Sequence, residues 1–201
     1  IATVFDTFDA YLKDRGYLAM GGQIIDASIV SIPTQHNTRA ENATIKVGET
    51  PQGWTDKPAK FRQKDTDARW TKKHGKSHYG YKNHINVDRR HKLVRRYHVT
   101  DASVHDSQAL EAVLDGDNTA SSVWADSAYR SAGIEAMLKE KGLTSRIHYK
   151  GQRNKPLIKR QEQGNKTRSK IRVRVEHIFG AQNNDRTEER RAGKQCRSGG
   201  S

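Results

Sequence analysis

The sequence predicts an α/β fold, a mixed sheet covered by helices on both faces. Three observations carry that expectation. Residues 24–30 hold Ile24, Ile25, Ile29 and Val30, a β-branched run that reads as a strand. Further strand-like runs fall at 79–87, 93–100 and 122–125. Helical patterns lie before, between and after them. Strands interleaved with helices form a layered α/β domain.

Residues 5–16 begin the order. Val4, Phe5, Phe8, Tyr11 and Leu12 recur at helical spacing, and Gly16 stands where a C-cap belongs. Gly21-Gly22 is a turn, and 23–32 is the first strand. Residues 33–77 then change character. They are polar, carry three of the four prolines and show no sustained periodicity, so they read as a long insertion. Residues 88–91 join the next two strands as a hairpin. A helix is expected over 104–114, with Ser103 as N-cap and Ala109, Leu110, Val113 and Leu114 as its stripe. A short buried strand, 122–125, ends at Asp126. A helix over 131–141 closes at Gly142, and 146–149 reads as a strand. Residues 151–170 are basic and loop-like. Residues 171–179 fit strand and helix equally: Ile171 to Val175 alternates strictly, while Ile171, Val175, Ile178 and Phe179 make a helical stripe. Residues 184–201 are polar and expected to be disordered.

Composition narrows the function. The 201 residues suit one domain. Their formal net charge of +14 and pI near 10.0 favour a polyanionic partner, nucleic acid above all, over a merely solvated basic surface. One cysteine, Cys196, excludes an internal disulfide and suits the cytoplasm. No apolar run approaches the ~20 residues of a membrane span. The chain opens Ile1-Ala2-Thr3 without Met, which reads as a fragment. The nine histidines lack tight ligand spacing and a cysteine partner, which argues against structural zinc. His105-Asp106 reads as capping or as support beside a site. Neither a phosphate-binding glycine loop nor a Gly-x-Ser-x-Gly elbow is present.

Carboxylates remain as the candidate chemistry. Metal-assisted phosphoryl transfer needs hard oxygen ligands brought together from separate elements. Asp26 interrupts an apolar strand and Asp126 ends another, and a carboxylate in such a place is costly unless paired or metal-bound. The alternative for each is a turn cap. Glu176 carries less in isolation, since four residues after Arg172 it also fits a surface ion pair.

Four segments in order carry a resemblance. Gly21-Gly22-Gln23-Ile24-Ile25-Asp26-Ala27-Ser28, Tyr79-Gly80-Tyr81-Lys82-Asn83-His84, Val99-Thr100-Asp101-Ala102-Ser103-Val104-His105-Asp106-Ser107 and Val123-Trp124-Ala125-Asp126-Ser127-Ala128-Tyr129-Arg130-Ser131 resemble the DDE transposases of bacterial insertion sequences, the insertion-sequence-five group in particular. A fifth, Tyr-x2-Arg-x3-Glu-x6-Lys, is matched at Arg172 and Glu176 and missed at Ser169 and Asn183.

The resemblance implies a ribonuclease H-like sheet with Asp26, Asp126 and Glu176 as catalytic metal ligands, and it favours the helical reading of 171–179. It implies Mg²⁺ or Mn²⁺, with Asp26 bridging two ions and Asp126 and Glu176 completing one site each. The implied activity is nicking at element ends and strand transfer into target DNA. DNA is the implied partner, a homodimer on it is allowed, and no membrane or small-molecule substrate is expected. Lys82, Arg130, Arg153, Lys155, Lys166, Arg168, Lys170, Arg172 and Arg174 are candidate DNA contacts. The expected organisation is a remnant N-terminal helix in 1–20, a catalytic domain over 21–183 with its insertion at 33–77, and the tail 184–201. Truncation at both ends is expected to weaken activity, and the alternative is a catalytically dead remnant that binds DNA through charge. A third class, an RNA-binding factor, would be indifferent to all three acids.

Overall fold

The computed structural model describes the backbone of residues 2–73, 75–153 and 155–198, and side chains up to residue 181. Element order is α1 (Ala2–Asp14), β1 (Gln23–Ser31), α2 (Arg39–Lys46), α3 (Gln52–Thr55), α4 (Pro58–Phe61), β2 (Arg69–Lys73), β3 (Lys76–Asp88), β4 (Val94–Asp101), β5 (Ser122–Trp124), α5 (Ala132–Glu140), β6 (Thr144–Ser145) and α6 (Lys159–Ser198). Strand order is β2-β3-β1-β5-β6, with β4 also on β3. β1 and β5 are parallel, β5 and β6 are parallel, and β2 and β3 antiparallel. This is the mixed sheet of a ribonuclease H-like fold, with helices on its faces.

The chain divides into two units, one of residues 1–26, 84–98 and 106–201, the other of 27–83 and 99–105. In the first unit the strand period of two sorts side chains onto two faces. Ile25, Val123 and Ala125 pack with Leu110, Val113, Tyr129, Ile134, Leu138 and Ile147. Ile24 and Trp124 face the other way, onto Val175, with Ile171, Ile178 and Phe179 at the margin. Those four residues of α6 are the helical stripe, so the ambiguity over 171–179 resolves to helix. Val175 is fully buried there, a contribution of about 1.5–3 kcal/mol.

α1 is tied down by charge. Arg95 is 1% exposed and reaches Asp9 at 3.1 Å and Asp88, itself fully buried, at 3.4 Å. It also donates to the Tyr17 carbonyl at 2.6 Å. Asp88 further accepts from the amides of His91 and Leu93, which shapes the hairpin turn into β4.

Several expectations need correction. The helix expected over 104–114 is two 3₁₀ turns, Asp106–Gln108 and Glu111–Val113. Ala109, Leu110 and Val113 are buried as expected, but Ser103 turns back to Asp101 instead of capping a helix. Short polar side chains such as these compete for backbone groups and favour turns. The strand expected at 146–149 is assigned at Thr144–Ser145, although His148 still donates its amide to Ala125 O at 3.1 Å. The basic stretch is loop only to residue 158, after which α6 begins. Lys, Arg, Gln and Glu are strong helix formers, but a turn that is polar all round leaves no periodicity to read.

The insertion is also more regular than expected, with α2 to α4 and β2 inside it. α2 has a full capping box: Glu41 N donates to Thr38 Oγ1, and Thr38 N donates to Glu41 Oε2. In the 184–201 tail the backbone of α6 continues to Ser198, its side chains lie outside the described residues, and 199–201 lie outside them altogether.

Candidate active site

Asp26 and Asp126 come together because β1 and β5 are parallel neighbours. Their register pairs Gln23 with Val123 and Ile24 with Trp124. Carried two residues further, it sets Asp26 abreast of Asp126, at the carboxyl end of β5. Both share the strand parity of Ile24 and Trp124, so they face the α6 side. Ligand sites in open α/β sheets sit at such strand ends.

The approach to β1 is close. Gly22 has φ +94°, and a Cβ there would lie 2.5 Å from Trp124 Cζ3 and 2.6 Å from Ser122 O. Only glycine allows the strand to enter this near to β5.

Asp26 is paired. Arg172 Nη2 donates to its Oδ2 at 2.8 Å, with side chains 14% and 16% exposed respectively. Asp126 caps the turn Ser127–Tyr129, its Oδ1 accepting from Ala128 N at 2.7 Å. The capping alternative for Asp126 therefore holds for one carboxylate oxygen. Tyr129 lies among the acids: burial pushes its hydroxyl well up, and the charges of Asp106, Asp26 and Asp126 push it further. Its Oη is buried without a hydrogen-bond partner among the described residues, and so is Nε of Arg172. His148 approaches from beyond β6, with Nε2 3.4 Å from Ser169 Oγ. Burial lowers its pKa, and the nearby Arg172 and Arg168 lower it further.

Glu176 stands apart from this group. It lies one turn beyond Arg172 on α6, and it is exposed. Among the described residues no three His, Cys, Asp or Glu gather as a metal-holding group. The local donor set still suits a hard divalent cation. Two carboxylates stand abreast, and Mg²⁺ is commonly held by one or two carboxylates, with waters and substrate phosphates completing its shell. The two orphan donors, Tyr129 Oη and Arg172 Nε, are the kind of group that such oxygens satisfy.

The candidate DNA contacts divide. Arg153, Lys155, Lys166 and Lys170 are exposed cations. Arg130 and Arg168 are engaged internally: both donate to Ile147 O, at 2.8 and 2.9 Å, and both stack on Tyr149. Lys82 donates to Val104 O at 2.6 Å. Arg172 serves Asp26. Arg174 donates to Arg89 O at 3.0 Å and lines a cavity of about 410 Å³ with Gly21, Arg89, Arg90 and Lys92. That four-cation cavity escaped the sequence reading, although three of its cations crowd the hairpin turn 88–93. Tyr129 and His148 escaped it too, because neither a core tyrosine nor a lone histidine signals a neighbouring carboxylate.

A family model for the transposase DDE domain matches residues 18–192. A transposase for insertion sequence element IS1106 from Neisseria meningitidis serogroup B is 35% identical over 161 residues, covering 78% of this chain and 52% of that protein. The chain thus spans about half the length of this curated relative. No solved structure matches the chain.

Proposed function

Because the chain belongs to the transposase DDE domain family, we propose that it is the catalytic portion of a DNA transposase, which nicks DNA at element ends and transfers the freed strand into target DNA. One observation supports the reading beyond family membership: the parallel register of β1 and β5, carried two residues on, sets Asp26 of β1 beside Asp126 just past the end of β5.

Asp26 and Asp126 would hold Mg²⁺ or Mn²⁺, with Glu176 as third ligand. When bound, such an ion supplies activation of water or of a 3′-hydroxyl and stabilisation of the leaving oxygen. The protein's own groups do the rest. Arg172 balances the Asp26 charge and offers its free Nε to a phosphate oxygen. The Tyr129 hydroxyl, held protonated by burial and the nearby acids, would offer a donor to an incoming phosphate oxygen. His148, kept neutral by burial and two arginines, can accept a proton beside the site. Arg153, Lys155, Lys166 and Lys170, with the cavity of Arg89, Arg90, Lys92 and Arg174, neutralise the DNA backbone.

The exposure of Glu176 favours a second reading, a DNA-binding remnant without catalysis. Both predict salt-sensitive DNA binding. A nicking assay on supercoiled DNA bearing an element end separates them. Mg²⁺-dependent cutting that disappears in Asp126→Ala supports the transposase. Binding without cutting leaves the remnant.

A further inference from the structure

The unit formed by residues 27–83 and 99–105 contains a second cavity, of about 510 Å³, made mostly by the insertion. That volume is within the range of small-molecule sites, about 300–1,000 Å³. Three primary amides line it, Gln35, Asn37 and Asn42, with Trp70 and Tyr79 as aromatic walls and Lys46 and Arg69 as cations. Among the described residues that line it there is no carboxylate.

Two features ask for a ligand. The Trp70 ring is 54% exposed, although it is the largest apolar group on β2, a strand that also carries Arg69, Lys72 and Lys73. Its ring packs against Tyr79, at 5.3 Å and 44°. An open indole face beside cations is a stacking platform. The second feature is Gln35 Oε1, which is buried and has no hydrogen-bond partner among the described residues. An acceptor in that position matches an exocyclic amine or ring N–H. Primary amides offer donor and acceptor together, the pairing that reads a base edge. Arg69 is locked onto the carbonyls of Thr66, Ala68 and Ile45, so its charge stays at the rim.

We propose that this cavity binds one unpaired nucleobase of DNA, stacked on Trp70 with its edge toward Gln35 and its phosphate toward Lys46 and Arg69. A paired base inside a duplex cannot offer its face, so the ligand is a single-stranded end or an extruded nucleotide. The inference rests on the DNA reading above and adds a base-specific site away from the carboxylates.

Fluorescence tests it on the whole chain. Trp54 and Trp124 are 0% and 5% exposed, so quenching by ligand reports chiefly on Trp70. Titration with short oligothymidylate should quench saturably. Read by anisotropy of labelled oligothymidylate, since the variants lack the reporting indole, Trp70→Ala should weaken that binding roughly ten-fold, and Trp70→Phe should restore most of it. Affinity for blunt duplex, read by anisotropy, should stay unchanged in both variants. Duplex binding with no quenching by single strands overturns the pocket and leaves the DNA reading standing. An equal loss for single strand and duplex in Trp70→Ala also overturns it. Quenching by single strands without any duplex binding supports the pocket and removes the transposase reading. Tighter quenching by oligouridylate than by oligothymidylate overturns the DNA assignment, and no binding of either polymer overturns both.

Discussion

Arg172 reaches Asp26 across 146 residues of sequence, Nη2 to Oδ2 at 2.8 Å. The contact joins the middle of β1 to α6 and supplies a countercharge to the Asp26 carboxylate. Removing it with Arg172→Ala should cost about 1.5–3 kcal/mol, the usual range for a hydrogen bond to a charged group. Urea unfolding in EDTA measures that loss. In Mn²⁺ the deficit should shrink, because the cation replaces the guanidinium as the partner of Asp26. A deficit of the same size with and without Mn²⁺ would show that Asp26 does not hold the ion.

Gly22 tests the closeness of β1 and β5. Gly22→Ala places a methyl 2.5 Å from the Trp124 ring and 2.6 Å from a backbone carbonyl, at a φ of +94°. The ring can shift, but the carbonyl cannot without moving β5. A loss of about 2 kcal/mol or more is expected, from strain and overpacking together. Chemical denaturation gives the number. If Asp26 and Asp126 act as a pair, Mn²⁺ affinity should fall as well, since their alignment depends on this register.

How much of this was legible beforehand depends on whether a residue's partner was near it in sequence. Ile24, Ile25 and Val123 announced buried strands by composition, and Asp26 and Asp126 stood out as acids within them. The stripe of Ile171, Val175, Ile178 and Phe179 was visible but did not separate helix from strand. Packing on Ile24 and Trp124 decided it. The first turns of α6, residues 159–170, have no apolar face, so they left no pattern. The pairing of Arg172 with Asp26 was not foreseen, because residues that far apart in sequence meet only through the fold. The capping box of Thr38 and Glu41, by contrast, was local and readable, and was hidden by the polar character of the stretch around it.

Glu41 makes the insertion sensitive to acid. Its carboxylate accepts from Thr38 N, from the Trp54 indole at 2.5 Å and from Lys60 at 3.2 Å. The Thr38 amide leads these causes, followed by the Trp54 indole, and the pKa is held down from 4.5 to about 2. A carboxyl lowered on folding stabilises the folded state above its unfolded pKa. That contribution is lost as pH falls from 4.5 toward about 2. Glu41→Gln keeps an acceptor but not the charge. Wild type should therefore be the more stable at neutral pH, and the gap should close on acidification through that window. Urea unfolding followed at several pH values checks it. A gap independent of pH would mean that the three donors do not favour the charged form.

The cavity formed by Arg89, Arg90, Lys92 and Arg174 concentrates positive charge at the hairpin and α6. Arg89 also stacks on Trp124, and Arg174 holds the Arg89 carbonyl, so these two carry structural duties. Among the described residues no such side-chain contact joins Arg90 or Lys92 to the core, so these two are the cleaner probes. Each phosphate contact contributes a slope of about −0.9 to log K against log salt on duplex DNA. Arg90→Ala with Lys92→Ala should flatten that slope by about 1.8 if each cation meets one phosphate. The affinity loss should be similar across unrelated sequences, because phosphates carry no sequence information. Anisotropy titrations at several salt concentrations measure both quantities. An unchanged slope would place the DNA path elsewhere, and the same double substitution at Arg153 and Lys155 would then locate it. A sequence-dependent loss would mean that the hairpin reads bases instead of the backbone.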